Sequence, residues 1–179
     1  MKTNDELKQM YDSPGPFDNG IGPAREKAKD GVKGKWVYIS CETGLPVSLR
    51  EFVSARTPRN GIAVAEEKLG QYVFLLIPSI ENANEEKYRL IGEPVEGRVR
   101  IRQSCEKDSY KERHLTWPGL QPVGEWRAWV SPYENGRSLV GELHTGKQFE
   151  IDLNGNVLPQ KANRFSFMAL CKRLLLQGT

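Results

Sequence analysis

The chain has 179 residues, of which 38% are hydrophobic and 27% charged, and its 26 basic and 23 acidic side chains leave a net charge of +3. This composition is typical of a folded domain with its own core and excludes an intrinsically disordered chain. Because the net charge is small, an anionic partner can be inferred only from local clusters of cations.

The N-terminal residues 1–34 are expected to form a flexible arm, because prolines and glycines are concentrated between positions 14 and 23. Two short helices are predicted in the arm, one at residues 4–11 with Asn4 or Asp5 as N-cap and one at residues 23–31. A single domain is predicted over residues 35–179.

The first half of this domain is predicted to begin with a core strand within residues 35–44. A short amphipathic helix is expected to follow at residues 48–58, where Ser48 and Glu51 have capping-box spacing. Residues 61–70 fit either a strand or a helix. The apolar run at residues 71–78 predicts a strand buried on both faces, at the centre of a sheet.

Residues 87–103 are predicted to form a hairpin about Pro94 and Val95, with Arg89 opposite Arg100. This register buries one face that carries Tyr88, Leu90, Val99 and Ile101. The other face then carries five cations, which we take as the candidate binding residues: Lys87, Arg89, Arg98, Arg100 and Arg102.

The C-terminal part of the chain combines an irregular stretch with a regular one. Residues 104–125 show no periodicity, which is typical of a functional or disordered segment. After them, turns at Asn135-Gly136 and Thr145-Gly146 divide three strand-like runs, which predicts an antiparallel meander. One face of the meander is predicted to carry Trp129, Val140, Phe149 and Ile151, and a C-terminal helix is expected after Asn163.

The expected fold class is therefore α+β, mainly antiparallel sheet, with a short helix after the first strand and a C-terminal helix. Cys41, Cys105 and Cys171 are too widely spaced for a disulfide framework or a zinc site. The longest apolar run is far shorter than the roughly twenty residues of a membrane span. We expect a soluble cytoplasmic protein with reduced thiols and no membrane contact.

Catalytic residue types are scarce, since His114 and His144 are the only histidines. The chain contains no phosphate-binding loop, dinucleotide motif or metal-ligand spacing. We therefore expect no cofactor and no metal, and an enzyme ranks third among the function classes.

Three explanations of the five cations are of comparable weight. In the first, the protein is a non-enzymatic nucleic-acid-binding or accessory protein, in which arginines hold phosphate oxygens and Trp117, Trp126 or Tyr133 stacks on bases. In the second, it is an inhibitor or assembly subunit that binds an acidic protein partner through the same face or through residues 104–125. In the third, Glu150 and Asp152 neutralise the cations internally. Binding to DNA or RNA ranks slightly ahead, because the arm adds further cations.

Overall fold

The computed structural model describes residues 1–105 and 109–159 of the protein. In these two ranges the chain forms one short helix and fourteen strands, and every strand pair is antiparallel. The strands make four sheets that follow one another along the chain. The prediction of a mainly antiparallel fold is confirmed, whereas the C-terminal helix falls outside the described residues.

The first sheet contains the N-terminal residues. Helix α1 (Asn4–Met10) leads into three strands that pair in chain order, β1 (Tyr11–Pro14), β2 (Ile21–Glu26) and β3 (Trp36–Ser40). Leu7 of the helix and Tyr11 of β1 pack with residues of β2 and β3 in one core cluster. Ten of the 34 residues expected to form an arm thus lie in strands β1 and β2, and seven lie in helix α1.

The two helix predictions in this segment have different outcomes. Helix α1 exists, but its N-cap is Thr3, because Thr3 and Glu6 form a reciprocal capping box. The helix predicted at residues 23–31 is wrong. Its first half is β2, and its second half enters a tight turn in which Lys29 and Val32 exchange backbone hydrogen bonds.

The helix predicted at residues 48–58 is also wrong. The backbone N–H groups of Val47 and Phe52 donate to the carbonyls of Tyr38 and Trp36, so this segment runs along the edge of β3. The Ser48 hydroxyl accepts from the N–H of Arg50, two residues on, which is a local turn and not a capping box.

The second sheet has four strands in chain order, β4 (Ser54–Ala55), β5 (Ile62–Lys68), β6 (Gln71–Leu76) and β7 (Glu81–Asn82). Strand β6 is buried on both faces, as its sequence predicts. Val73 and Leu75 pack against the first sheet, and Phe74 packs against the third.

The third sheet consists of β8 (Leu90–Ile91), β9 (Arg98–Ser104), β10 (Tyr110–Thr116) and β11 (Pro122–Arg127), in the order β11-β10-β9-β8. The fourth sheet consists of β12 (Trp129–Val130), β13 (Arg137–Gly141) and β14 (Gln148–Asp152), paired in chain order. Residues 104–125, expected to be irregular, thus contain one whole strand and most of another.

The predicted meander is confirmed as the fourth sheet. Val140 pairs with Phe149, and both share a face with Ile151. Trp129 is an exception to the predicted face: it pairs with Gly141, one position away from the Val130–Val140 pair, and therefore lies on the other side.

Five two-residue turns of the same type recur within residues 1–105 and 109–159. In each, two consecutive residues have positive φ and the residues on either side exchange backbone hydrogen bonds. This is the geometry in which a small polar residue followed by glycine is favoured. The turns are Asn19-Gly20, Asp30-Gly31, Asn60-Gly61, Glu96-Gly97 and Asn135-Gly136.

Four of these turns lead directly into a long strand of successive sheets, namely β2, β5, β9 and β13. Their intervals of roughly forty residues are typical of a repeat in which each unit buries its apolar faces against its neighbours. The chain thus contains a structural repeat, and these two-residue turns mark its period.

The turn at Glu96-Gly97 also corrects the register of the hairpin at residues 87–103. The chain reverses there and not at Pro94 and Val95, and Ile91 pairs with Ile101. The five cations consequently do not share one face. Arg98, Arg100 and Arg102 alternate onto the face of β9 that meets the fourth sheet, whereas Arg89 packs over Gly70 of the second sheet.

Candidate functional site

Arg98 and Arg100 connect the third and fourth sheets. Arg98 donates through Nε and Nη2 to the Leu153 carbonyl, at 3.0 and 2.7 Å. Arg100 donates through Nη1 to the Val130 carbonyl at 3.4 Å. Both arginines are partly buried, and their acceptors are main-chain groups of the neighbouring sheet, so their first role is structural.

Arg102 is paired with a buried carboxylate. Its Nε donates to Oε1 of Glu112 at 2.7 Å. Glu112 is 3% exposed, and its Oε2 accepts from the backbone N–H of Val130 at 3.0 Å. Arg102 is thus neutralised on its own sheet, by a residue that also contacts the fourth sheet.

Glu150 and Asp152 do not neutralise the five cations in the part of the chain that the structure describes. Glu150 accepts from Nη1 of Arg137 at 3.1 Å. Asp152 accepts from the side-chain and backbone N–H groups of Asn156, which together hold the pKa of its carboxyl below the usual range. Cross-sheet carbonyls and Glu112 take the place of the expected acidic row.

Lys87 and Arg89 are exposed. Lys87 Nζ lies 2.7 Å from Oε2 of Glu67, and this hydrogen bond, with help from Arg50, holds the pKa of Glu67 below its usual value. Arg89 packs over Gly70, where an added Cβ would lie 3.0 Å from its Nη1. Within residues 1–105 and 109–159, Arg89 has no ion pair.

Two further cations, Lys111 and Arg113, lie on the same face of the third sheet as Arg89. Lys111 pairs with Gln103, and Arg113 pairs with Ile101. The Arg89 N–H donates to the Arg102 carbonyl, next to Gln103, and Arg89 and Gln103 line the same groove, so Arg89, Gln103 and Lys111 lie together at this end of the third sheet. We call Lys87, Arg89, Lys111 and Arg113 the cationic end.

A groove of about 300 Å³ lies at this end of the sheet, lined by Lys87, Arg89, Gln103 and Ser104. Sequence reasoning missed Lys111 and Arg113. The signal was present, because alternation in "YKERHLT" places Lys111, Arg113 and Leu115 on one face of a strand.

The three candidate aromatic residues differ in accessibility. Tyr133 is 3% exposed, and its hydroxyl donates to the Asp152 carbonyl. Trp117 packs against Phe74 at a centroid distance of 6.1 Å, beside the core between the second and third sheets. Trp126 lies at the cationic end, with Lys111 Nζ at 4.5 Å and Arg113 Cζ at 4.7 Å from its ring centroid.

No metal-binding cluster of His, Cys, Asp or Glu is present among the residues that the structure describes. Cys41 is buried and Cys105 is exposed, and both are free thiols. Over the same residues, we find no helix with the length and apolarity needed to cross a bilayer.

Comparison with known proteins leaves the family open. No family model matches the chain, and no curated protein matches it. Among solved structures, the computationally designed Ika8 protein is similar at 11% identity with a TM-score of 0.30, covering 80% of this chain and 59% of that chain. The chain thus spans less than two thirds of that design. The TM-score is too low to carry an argument about fold or function.

Proposed function

We propose that the protein is a non-enzymatic binding protein that holds the phosphate backbone of a nucleic acid at the cationic end. The observation that carries the proposal is the grouping of Arg89, Gln103 and Lys111 at one end of the third sheet, beside a surface groove. Side chains grouped in this way present several hydrogen-bond donors to phosphate oxygens.

Two of the four cations at this end support an external anion, whereas Lys87 pairs with Glu67 and Arg113 lies near Glu86 and Glu125. Arg89 has no carboxylate partner in the described ranges, and Lys111 has only the Trp126 ring. Of the five cations expected from the sequence, Lys87 and Arg89 remain in this proposal. Arg98, Arg100 and Arg102 are assigned to the contact between the third and fourth sheets.

The test is binding of fluorescent single- and double-stranded DNA and RNA oligonucleotides at two salt concentrations. We expect affinity to fall as salt rises, because each phosphate contact releases counterions. The double variant Arg89→Gln with Lys111→Gln should weaken binding to all sequences and reduce the salt slope by about 2.

A matched control removes two cations from the fourth sheet, Arg137→Gln with Lys147→Gln. It changes the net charge equally and should leave binding near the wild-type value. Equal losses in the two double variants would contradict a local site, and binding that is insensitive to salt would contradict phosphate contacts altogether.

A second candidate, a protein-interaction module, is favoured by exposed apolar side chains in residues 45–53. Leu45, Leu49 and Val53 are 58%, 101% and 41% exposed along the edge of β3. Arg50 anchors the same segment, since its Nη1 donates to the Ile80 carbonyl at 2.6 Å. An anchored edge with apolar side chains suits docking of another chain.

This candidate predicts co-purification of a protein partner that resists nuclease and is lost in Leu49→Asp. Leu69→Asp is the control, because Leu69 is 86% exposed in a different turn. Loss of the partner in both variants, or in neither, would reject residues 45–53 as the docking edge.

A further inference from the structure

A cavity of about 150 Å³ lies between the third and fourth sheets, away from the cationic end. Arg98, Arg100 and His114 line it from the third sheet, and Pro132 and Tyr133 close it from the side of the fourth. At roughly 30 Å³ for each water-sized group, it has room for about five such groups.

The histidine in this wall has one unsatisfied nitrogen. His114 is 2% exposed, and its Nε2 lies 2.9 Å from the Ser131 carbonyl. A carbonyl oxygen only accepts hydrogen bonds, so Nε2 carries the proton and Nδ1 is a bare acceptor. Nδ1 is buried and has no donor among the described residues. A ligand O–H or N–H would supply the donor that Nδ1 lacks.

The two arginines in the cavity wall offer hydrogen-bond donors, which favour a negatively charged acceptor. Arg98 is satisfied by the carbonyls of Leu153 and Gly97, whereas Arg100 makes, among the described residues, a single long hydrogen bond, to the Val130 carbonyl. Neither has a carboxylate partner in the described ranges. Glu93 also lines the cavity, but its carboxylate is engaged by Arg56 at 3.0 Å. Arg100 therefore has donors left for an anion.

We propose that this cavity binds a small oxyanion that carries a hydroxyl group, such as a 2-hydroxycarboxylate or hydrogen phosphate. The negative oxygens accept hydrogen bonds from Arg100, and the hydroxyl donates to Nδ1 of His114. Gly92 leaves space beside Arg100, since a Cβ there would lie 3.8 Å from its Nε. This site is separate from the cationic end, and neither proposal depends on the other.

The test uses the whole protein labelled with ¹⁵N-histidine and follows the ring nitrogens by NMR during titration with glycolate. We expect a saturable shift of the His114 Nδ1 resonance. His144 is exposed in a turn of the fourth sheet and serves as the control within the same spectrum. Its resonances should stay unchanged.

Three analogues separate the two contacts without mutation. Acetate lacks the hydroxyl, and glycolamide lacks the charge, so each should bind at least roughly tenfold more weakly than glycolate. Inorganic phosphate has both features, and its affinity relative to glycolate identifies which oxyanion the cavity prefers. Equal binding of acetate and glycolate would overturn the assignment of His114.

Variants complete the test. Arg100→Gln should weaken glycolate binding at least roughly tenfold, whereas Arg137→Gln, a surface control, should not change it. If Arg100→Gln fails to fold, the analogue series on the unmodified protein still decides. Absence of any shift at His114 with glycolate and phosphate in the folded protein would mean that only water fills the cavity, and the proposal would fall.

Discussion

The two faces of the third sheet come from the same strands, but one makes apolar contacts and the other makes polar contacts. Toward the second sheet, Ile91, Val99, Ile101 and Leu115 pack in an apolar cluster. Toward the fourth sheet, the alternate residues Arg98, Arg100, Glu112 and His114 make hydrogen bonds to main-chain groups. Apolar burial is non-directional and stabilises, whereas directional polar contacts of this kind define where the neighbouring sheet sits. The fourth sheet is thus attached by position-specific bonds.

The largest effect is expected on the apolar face. Ile101 is 1% exposed, and Ile101→Ala should lower the free energy of unfolding by about 4 kcal/mol, because it removes buried methyl groups and leaves a cavity. Chemical denaturation measures the change. Leu139→Ala, at a position 40% exposed, is the control and should change stability by less than about 1 kcal/mol. Comparable losses in both variants would contradict the assignment of the core.

The next largest effect is a pH dependence of the free energy of unfolding, which arises from His114 on the face toward the fourth sheet. Burial lowers the pKa of His114 from 6.5 to about 4, with Arg100 and Arg98 adding to the decrease and the Ser131 hydrogen bond and Glu112 opposing it. The unfolded chain therefore takes up the proton first. Stability should fall as pH drops from 6.5 to 4, by on the order of 3 kcal/mol in total, and this contribution should level off below pH 4.

His114→Gln isolates that contribution, because glutamine can still donate to the Ser131 carbonyl but does not titrate in this range. Denaturation curves for the two proteins between pH 7 and 4 give the difference directly. An unchanged pH profile in the variant would show that carboxylates, and not His114, set the acid sensitivity.

A smaller loss is expected from Glu112→Ala. The variant leaves the Val130 N–H without its acceptor and removes the anion that pairs with Arg102. We expect the free energy of unfolding to decrease by about 2 kcal/mol. The double variant with Arg102→Ala should lose less than the sum of the single variants, because the two side chains form one network. Strict additivity, measured by denaturant unfolding, would contradict the network.

The sequence predicts the antiparallel class, strands β3 and β6 and the fourth sheet, because their apolar patterns and turn residues agree. It fails where a turn lacks its usual residue. Glu96-Gly97 reverses the chain as Asn135-Gly136 does, but glutamate is not typical there, so the more conspicuous Pro94 is mistaken for the turn. The resulting shift in register places five cations on one face, whereas the structure divides them between two.

The partners of the cations follow from tertiary contacts that local patterns do not encode. The carbonyls of Val130 and Leu153 accept from arginines distant in the chain, and no side-chain type marks a carbonyl as an acceptor. His114 is equally hidden, because its burial depends on the fourth sheet. In contrast, the alternation of Lys111 and Arg113 was visible in the sequence and could have placed them on the face that now carries the proposed nucleic-acid contact.

The smallest effect is expected at the exposed ion pair between Lys87 and Glu67. Their side chains are 48% and 22% exposed, and Lys87→Ala should lower stability by less than about 1 kcal/mol, because solvent screens exposed pairs. The same variant should weaken oligonucleotide binding if Lys87 belongs to the cationic end, since binding depends on phosphate contacts and not on Glu67. Measuring both quantities separates the roles. A large loss of stability with unchanged binding would show that the role of Lys87 is structural, like that of Arg98 and Arg100 between the third and fourth sheets.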